Sequence, residues 1–382
     1  MAASSITDPR SALGTNPCRA LGLMSGTSLD GIDVAAIETD GRDHVEPGPW
    51  LTIPYPGDFR ERLRGVLGGT GPIAAVEGEL TRRHADAVAE FRRRFPEVGA
   101  TLIGFHGHTI LHEPHHRRTW QIGDGGLLAR LTGTDVVADF RSADVAAGGE
   151  GAPLAPLYHA ALAAGLEKPV AVLNLGGVGN VTWIGPGAGD ILAFDTGPGN
   201  ALIDDWVRSH TGAACDRDGA LAFAGSARAD RIARFLLAPY FARLPPKSLD
   251  RDEFRPAIPT GLGLEDGAAT LAEMTAAAVA AAREHFPAPA REWLVCGGGR
   301  HNPALMAALK RRLTAPVRPV DAVGWNGDAL EAEAFAYLAV RSVLGLPLSL
   351  PTTTGVPRPM RGGVFAPGSG AKIDGPGYTP RP

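Results

Sequence analysis

Apolar and polar positions follow two recurring patterns along the chain. In the first, a short apolar run meets a turn of small polar residues and a second apolar run leads away. "LGLM" (residues 21–24), "SGTSLDG" (25–31) and "IDVAAIE" (32–38) give one case, and "VAVLNLGGVGNVTWIG" (170–185) gives another. Each predicts strand, turn, strand. In the second pattern apolar residues recur at helical spacing, over residues 57–68 and 72–95, in "NALIDDWVRSH" (200–210), "AATLAEMTAAAVAAAREHF" (268–286) and "DALEAEAFAYLAVRSVLG" (328–345). Asn200 is the expected N-cap of the helix it precedes, and Asn302, followed by Pro303, that of the helix after "CGGG". Further strands are predicted in "ATLIGFHGHT", "TDVVADF", "ILAFD" and "EWLVC". The grammar starts twice, which predicts an α/β protein of two similar halves facing a cleft. The Gly-Pro loop "GGEGAP" marks the boundary. The expected division is a leader (1–18), a first domain (19–150), a second (151–349) and a turn-rich tail (368–382); a return of about 350–367 to the first domain is left open.

Composition narrows the function class. The 382 residues are 44% apolar and 20% charged, as in a folded soluble protein. A net charge of −4 and a pI near 6.3 give no basic excess for nucleic acid or an anionic membrane. Cys18, Cys215 and Cys296 lie far apart and fit a reducing, cytoplasmic compartment. No signal peptide or membrane span is expected.

The turns carry the chemistry. Backbone N–H groups in a Gly/Ser-rich turn can converge on an anion. In the first turn, Gly26, Thr27, Ser28, Leu29, Asp30, Gly31, Ile32 and Asp33 are the expected phosphate-binding segment, and Asp30 and Asp33 offer hard oxygens for Mg²⁺ or its waters. The alternative is a polar hairpin turn. Gly176, Gly177 and Asn180 in "NLGGVGN" can cradle phosphate from the other half. In "CGGGRHNP", Gly297, Gly298 and Gly299 offer bare backbone to a ring or ribose, or serve only a tight connection. Asp195 closes a strand before a glycine turn, where open α/β sheets place ligands, and is a general-base candidate or the anchor of an Asx turn. Glu331 has Ala334, Phe335 and Leu338 at helical spacing and is expected on the apolar face, with Glu333 pointing elsewhere beside Tyr337. In "HGHTILHEPHH", His106 and His108 are expected to face the cleft and the later histidines to lie in a surface turn; the spacing matches no standard zinc set. In "DFRSAD", Arg141 can grip a carboxylate or phosphate, or pair with Asp139 or Asp144. The P-loop and serine-hydrolase elbow patterns are absent.

In this order the motifs resemble those of the anhydro-N-acetylmuramic acid kinases of bacterial cell-wall recycling, from about residue 20 to 365. The resemblance rests on "GLMSGTSLDGIDVAAIE", "GFHGHT", "QIGD", "VVADFRSADVAAGGEGAPLAP", "LNLGGVGN", "AFDTGPGN", "PPKS", "CGGGRHNP" and "DALEAEAFAYLA". It implies two RNase H-like domains closing over ATP and Mg²⁺, as in the sugar kinase, heat-shock chaperone and actin superfamily. It implies Asp195 as catalytic aspartate and Glu331 as a second acidic residue of the active site. The expected substrate-binding residues are His106, His108, Arg141, Asp144, Gly197 and Asn200. The implied reaction opens a 1,6-anhydro sugar hydrolytically and phosphorylates it, giving N-acetylmuramic acid 6-phosphate and ADP; family precedent also suggests a homodimer. The chain departs from the family's motifs at His108 and Glu150, where glutamine is usual, and at Leu249 and Asp250. The alternatives are a simple sugar kinase without ring hydrolysis and an ATP-gated binding module of the heat-shock chaperone type.

Overall fold

The computed structural model describes residues 17–26, 29–187, 189–249 and 253–368. The expected tail beyond Gly368, the leader up to residue 16, and Thr27 and Ser28 of the first turn lie outside the described residues.

Two mixed sheets form the frame. The first contains β1 (Cys18–Ser25), β2 (Gly31–Thr39), β3 (Val45–Pro54), β4 (Leu102–Glu113), β5 (Arg118–Ile122), β6 (Asp135–Ala138) and, from the far end of the chain, β12 (Val364–Ala366). The second contains β7 (Val170–Leu175), β8 (Val178–Ile184), β9 (Ile191–Pro198), β10 (Glu292–Cys296) and β11 (Val317–Pro319). Across the first sheet the order is β3-β2-β1-β4-β6-β12, with β5 hairpinned onto β4; across the second it is β9-β8-β7-β10-β11. Leaving out the hairpin strand β5 and the added edge strand β12, both read 3-2-1-4-5 when numbered within each half. Three antiparallel strands are followed by two parallel to the first. This is the RNase H-like arrangement, built twice. The weak internal repeat in the sequence is therefore a repeat of topology.

Helices cover the sheets because their apolar stripes and the strands' near-continuous apolar runs leave both faces of the central strands dry. Helix α1 (Gly57–Arg64) and α2 (Ile73–Arg94) cover one face of the first sheet with Phe59, Leu63, Val76, Leu80, Val88 and Phe91. Helix α3 (Gly125–Thr132) is capped by Asp124, whose carboxylate accepts the Leu127 N–H at 2.8 Å. Between the two sheets lie α4 (Pro156–Leu162) and the last long helix, α8 (Leu330–Val343). The second sheet is covered by α5 (Ala201–Thr211), α6 (Leu264–Ala282) and α7 (Pro303–Arg312). Asn302 caps α7 by accepting the Ala304 and Leu305 N–H groups at 3.0 and 3.1 Å, with Pro303 at the first helical position.

Helix α8 falls in the second half of the division expected from the sequence, yet it is seated on the first sheet. It packs on β1, β2 and β4 of the first sheet. The reason is a pair of glycines side by side in register, Gly22 on β1 and Gly104 on β4. A Cβ at Gly22 would lie 1.7 Å from the Ala332 carbonyl oxygen, and one at Gly104 2.0 Å from that of Phe335. The helix backbone thus rests on the sheet backbone, and no other residue type fits.

The same helix corrects the reading of its two glutamates. Glu333, not Glu331, is the buried one, 1% exposed, and its Oε2 accepts the Tyr158 hydroxyl at 2.7 Å. Burial raises its pKa to about 7, and the Tyr158 bond opposes this. The folded state therefore holds a proton that the unfolded chain releases near pH 4.3. Stability must fall as pH rises from there through about 7, by on the order of 3 kcal/mol from this group. Glu333→Gln keeps an acceptor for Tyr158. In urea titrations the variant is expected to gain stability over the parent between pH 5 and pH 8; a difference independent of pH would refute the assignment.

Candidate active site

A cleft of about 680 Å³ opens between the halves. One wall is the end of β1 (Met24, Ser25, Gly26), the β4–β5 hairpin from Thr109 to His116, and Arg141. The other is the β7–β8 turn (Asn174, Gly176, Gly177, Val178, Asn180), with Arg243, Ser248, Leu249 and Glu253 from a long excursion of the second half. Glu331, one residue into α8, stands between them. The second small-residue turn and the start of the first, Ser25 and Gly26, thus face one cavity, whereas Leu29 and Ile32, expected to bind phosphate, are buried in the core of the first half.

On the first wall, β4 kinks at Gly107, whose φ is +72°. A Cβ there would lie 2.3 Å from the Ile122 carbonyl oxygen. The pairing of β1 with β4 slips at the same place, from Leu23↔Phe105 to Ser25↔His108. The slip separates the two histidines that a regular strand would turn the same way. His106 lines the cleft, where its Nε2 accepts from Arg141 Nε at 3.1 Å. His108 is fully buried and lies behind Ser25. Tyr55 donates to Ser25 Oγ at 2.8 Å, and Ser25 Oγ lies 2.9 Å from His108 Nδ1. Burial lowers the His108 pKa to about 4, so it is neutral and orients Ser25. His108 is therefore not the cleft-facing residue expected. His115 and His116 lie exposed in the turn of the β4–β5 hairpin, as expected, and with the half-buried His112 they also line the cleft. Among the described residues they form no metal-ligand group; the one such group is Glu38, His44 and Glu46, at the opposite end of β2 from the cleft.

Arg141 also donates to the Gly151 carbonyl at 2.7 Å. Burial lowers its pKa to about 10, which still leaves it charged at neutral pH. Asp144 is a structural anchor rather than a cleft residue. It is 3% exposed and accepts the Gly151 N–H (2.7 Å), the Thr354 hydroxyl (2.6 Å) and the Ser349 hydroxyl.

On the second wall, the loop after β9 braces the β7–β8 turn from below. Gly199 and Asn200 donate their N–H groups to the Gly177 and Gly176 carbonyls at 3.0 and 2.7 Å. Asn200 forms no side-chain cap on α5, because its Nδ2 is turned to the Leu175 carbonyl at 3.2 Å. Gly197 is buried against Ala278. Both residues shape the turn from behind it. Gly297 and Gly299 admit Asn174, Leu175 and Asn200, and a Cβ at either would come within 2.8 Å of one of them. Gly298 is exposed.

Asp195 sits within β9, three residues before that strand ends at Pro198, paired with Asn180 of β8, and is 8% exposed. Its Oδ2 accepts the Leu249 N–H at 2.8 Å, and its own N–H donates to the Lys247 carbonyl at 2.9 Å. It lies one layer behind the cleft wall formed by Leu249 and Asn180. Burial raises its pKa to about 7; the Leu249 N–H opposes this, and the charges of Glu150 and Glu253 add to it. A carboxylate so placed changes protonation at working pH, as a general base requires.

Around Glu331, behind the cleft lining, further acids gather. Asp33 is pushed up to about 6 by burial, with the negative charges of Glu331, Asp328 and Asp30 adding, against the hydroxyl of Thr52 at 2.6 Å. Glu331 is exposed to the cleft, accepts from Asn174 Nδ2 at 3.2 Å, and is raised by its poorly solvated surroundings. Hard oxygens under mutual repulsion suit a divalent cation.

These positions coincide with the motifs of one family. The anhydro-N-acetylmuramic acid kinase family profile matches residues 18–368. The chain belongs to this family. The anhydro-N-acetylmuramic acid kinase of Paramagnetospirillum magneticum (strain ATCC 700264 / AMB-1) is 61% identical over 349 residues, covering 90% of this chain and 98% of that protein. The one from Acidiphilium cryptum (strain JF-5) is 57% identical, covering 92% and 99%. The one from Rhodospirillum rubrum is 56% identical, covering 91% and 94%. Of the described departures from that family's usual motifs, Leu249 lines the cleft, and His108 and Glu150 lie behind its lining residues Ser25 and Ser248. His108 orients Ser25, Glu150 accepts the Ser248 hydroxyl, Leu249 serves through its backbone N–H, and Asp250 lies outside the described residues.

Sequence reasoning missed Asn174, Tyr55, Ser248, Arg243 and Glu253 as parts of the site. The "PPKS" segment did mark the strap that holds Asp195, but nothing in its composition told which backbone groups would do so. Among the described residues no helix is long and apolar enough to cross a membrane.

Proposed function

We propose that the protein uses ATP to phosphorylate O6 of 1,6-anhydro-N-acetylmuramic acid while water opens the anhydro ring, with Asp195 as the general base. The observation that carries this is Asp195 itself: buried, held by Leu249, poised near neutral pH, and adjoining a cleft whose walls include the second small-residue turn and the start of the first.

The residues divide the work by position. Asp195 takes a proton from a water, which attacks C1. The C1–O6 bond breaks, and the freed O6 attacks the γ-phosphate of ATP, releasing ADP. The N–H groups of Gly26 and of the β7–β8 turn, Gly176 and Gly177, bind phosphate oxygens from the two sides of the cleft, as oriented backbone amides do. Gly298, at the exposed end of the β10–α7 connection, leaves room for the nucleoside. Arg141 and His106 are placed for the sugar and its carboxylate. Asp30 and Asp33 would hold Mg²⁺ through its waters, since they and Glu331 do not converge as a ligand group, and the ion when bound would offset charge on the β- and γ-phosphates. Glu331 acts at this phosphate end, since its charge bears on Asp33 and Arg141.

The test is turnover of the anhydro sugar with ATP, followed by ³¹P NMR. A 6-phosphate of N-acetylmuramic acid with stoichiometric ADP is expected. Faster phosphorylation of ring-opened N-acetylmuramic acid would favour the simple sugar kinase and defeat the coupled reaction.

A further inference from the structure

Lys247, Ser248 and Leu249 form a strap beside Asp195, and each residue makes one bond that matters. The Lys247 carbonyl accepts the Asp195 N–H at 2.9 Å, and the Leu249 N–H donates to Asp195 Oδ2 at 2.8 Å. Ser248, between them, donates its hydroxyl to Glu150 Oε2 at 2.5 Å. Glu150 belongs to the loop that follows the first sheet's β6, and its own N–H is fixed to the Thr354 carbonyl at 2.6 Å. The strap that holds the base is thus fastened across the gap between the halves by one carboxylate.

Among the described residues, few charged groups bear on Asp195. From the excursion of the second half come Tyr240, whose hydroxyl donates to the Asp195 carbonyl oxygen, and Arg243, Lys247 and Glu253. The Lys247 ammonium is directed to the Tyr240 and Phe241 carbonyls and to His285 Nε2, not to the carboxylate. Arg243 lies over the Tyr240 ring. His285, on the segment after α6, is lowered by burial and by Lys247. Among the described residues, Glu150 and Glu253 are the negative charges acting on Asp195.

We propose that Glu150 is a positioning residue for the reaction: through Ser248 it holds the strap that aims the Asp195 carboxylate, and it sets a negative charge beside that carboxylate. This rests on the reading of Asp195 as the base. A negative charge nearby favours the protonated acid, so Glu150 keeps Asp195 protonated to higher pH. In Glu150→Gln the side-chain oxygen still accepts from Ser248 while the charge is gone. In Ser248→Ala the charge stays and the fastening is lost.

The test uses the full chain and two readouts. One is kcat/KM for the anhydro sugar at saturating ATP from pH 5 to 9. The other is an isotope-edited infrared titration of Asp195 without substrates, with Asp195→Asn as the reference. Glu150→Gln is expected to move the titration midpoint to lower pH in both, so that its activity at pH 6, relative to pH 8, rises about threefold over the parent's. Ser248→Ala is expected to lower kcat about tenfold without moving the midpoint downward. An infrared midpoint unchanged in Glu150→Gln overturns the proposal whatever the kinetics. Absence of all parent turnover with the infrared shift intact would strike the kinase reading and leave the Glu150–Asp195 coupling standing.

Discussion

Asp195→Asn is expected to lower kcat by at least about 10²-fold, the low end of what a positioned general base contributes. The replacement is nearly isosteric. The amide oxygen can still accept the Leu249 N–H, and the main-chain bond to Lys247 does not involve the side chain. The fold and the phosphate-facing turns should therefore survive, and KM for ATP should change little. What is lost is a carboxylate able to take a proton from water. The sign of the pH dependence follows. With a pKa raised to about 7, chiefly by burial, Asp195 is protonated and idle in acid and becomes a base as pH rises. The parent's kcat/KM should climb roughly tenfold per pH unit below about 7 and then level. The residual activity of Asp195→Asn should lack that limb. A variant that keeps both the limb and most of the rate would assign the base elsewhere.

Gly104→Ala is expected to cost on the order of 3 kcal/mol, the upper part of the range for overpacking a tight interior. The added methyl would lie 2.0 Å from the Phe335 carbonyl oxygen and 2.6 Å from its carbon. These are backbone atoms of α8, so no rotamer change relieves the clash and the helix must move off the sheet. Gly22→Ala meets the Ala332 carbonyl oxygen at 1.7 Å on the same helix, one strand over. Since one displacement of α8 serves both methyls, the double variant should cost less than the sum. Glu331 precedes Ala332 on α8, so KM for ATP should rise as stability falls. Gly57→Ala is the control: nothing lies within 4 Å of its added methyl, and its stability should stay within about 0.5 kcal/mol of the parent. Equal denaturation midpoints for Gly104→Ala and Gly57→Ala would refute the packing argument.

The duplicated architecture was legible because apolar periodicity and small-residue turns are local signals. Both strand–turn–strand openings and the Asn302 cap depend on neighbours in sequence, whereas the strand expected to end at Asp195 runs on to Pro198. What escaped depends on partners far away. Glu331 and Glu333 are two residues apart on one helix, and local spacing favoured the wrong one for burial. The outcome was decided by Tyr158, 175 positions away, and by the glycines that seat α8 on the first sheet. His108 was misjudged because strict alternation fails at Gly107, and one residue of slippage turns a strand's side chains over. Asn200 looked like a cap by type, yet the Leu175 carbonyl across the loop takes its side chain. The environment of Asp195 was least legible of all, since it is made by main-chain groups of Lys247 and Leu249 whose identities carry no mark of the task.

The central claim is that a water activated by Asp195 opens the ring at C1 while the sugar's own O6 takes the phosphoryl group. Turnover in ¹⁸O-labelled water, quenched early and corrected with authentic product for spontaneous exchange at the anomeric carbon, tests it most directly. One labelled oxygen at C1 and none in the phosphate or at C6 is the result predicted here. Label in the phosphate or at C6, with C1 unlabelled, would contradict it.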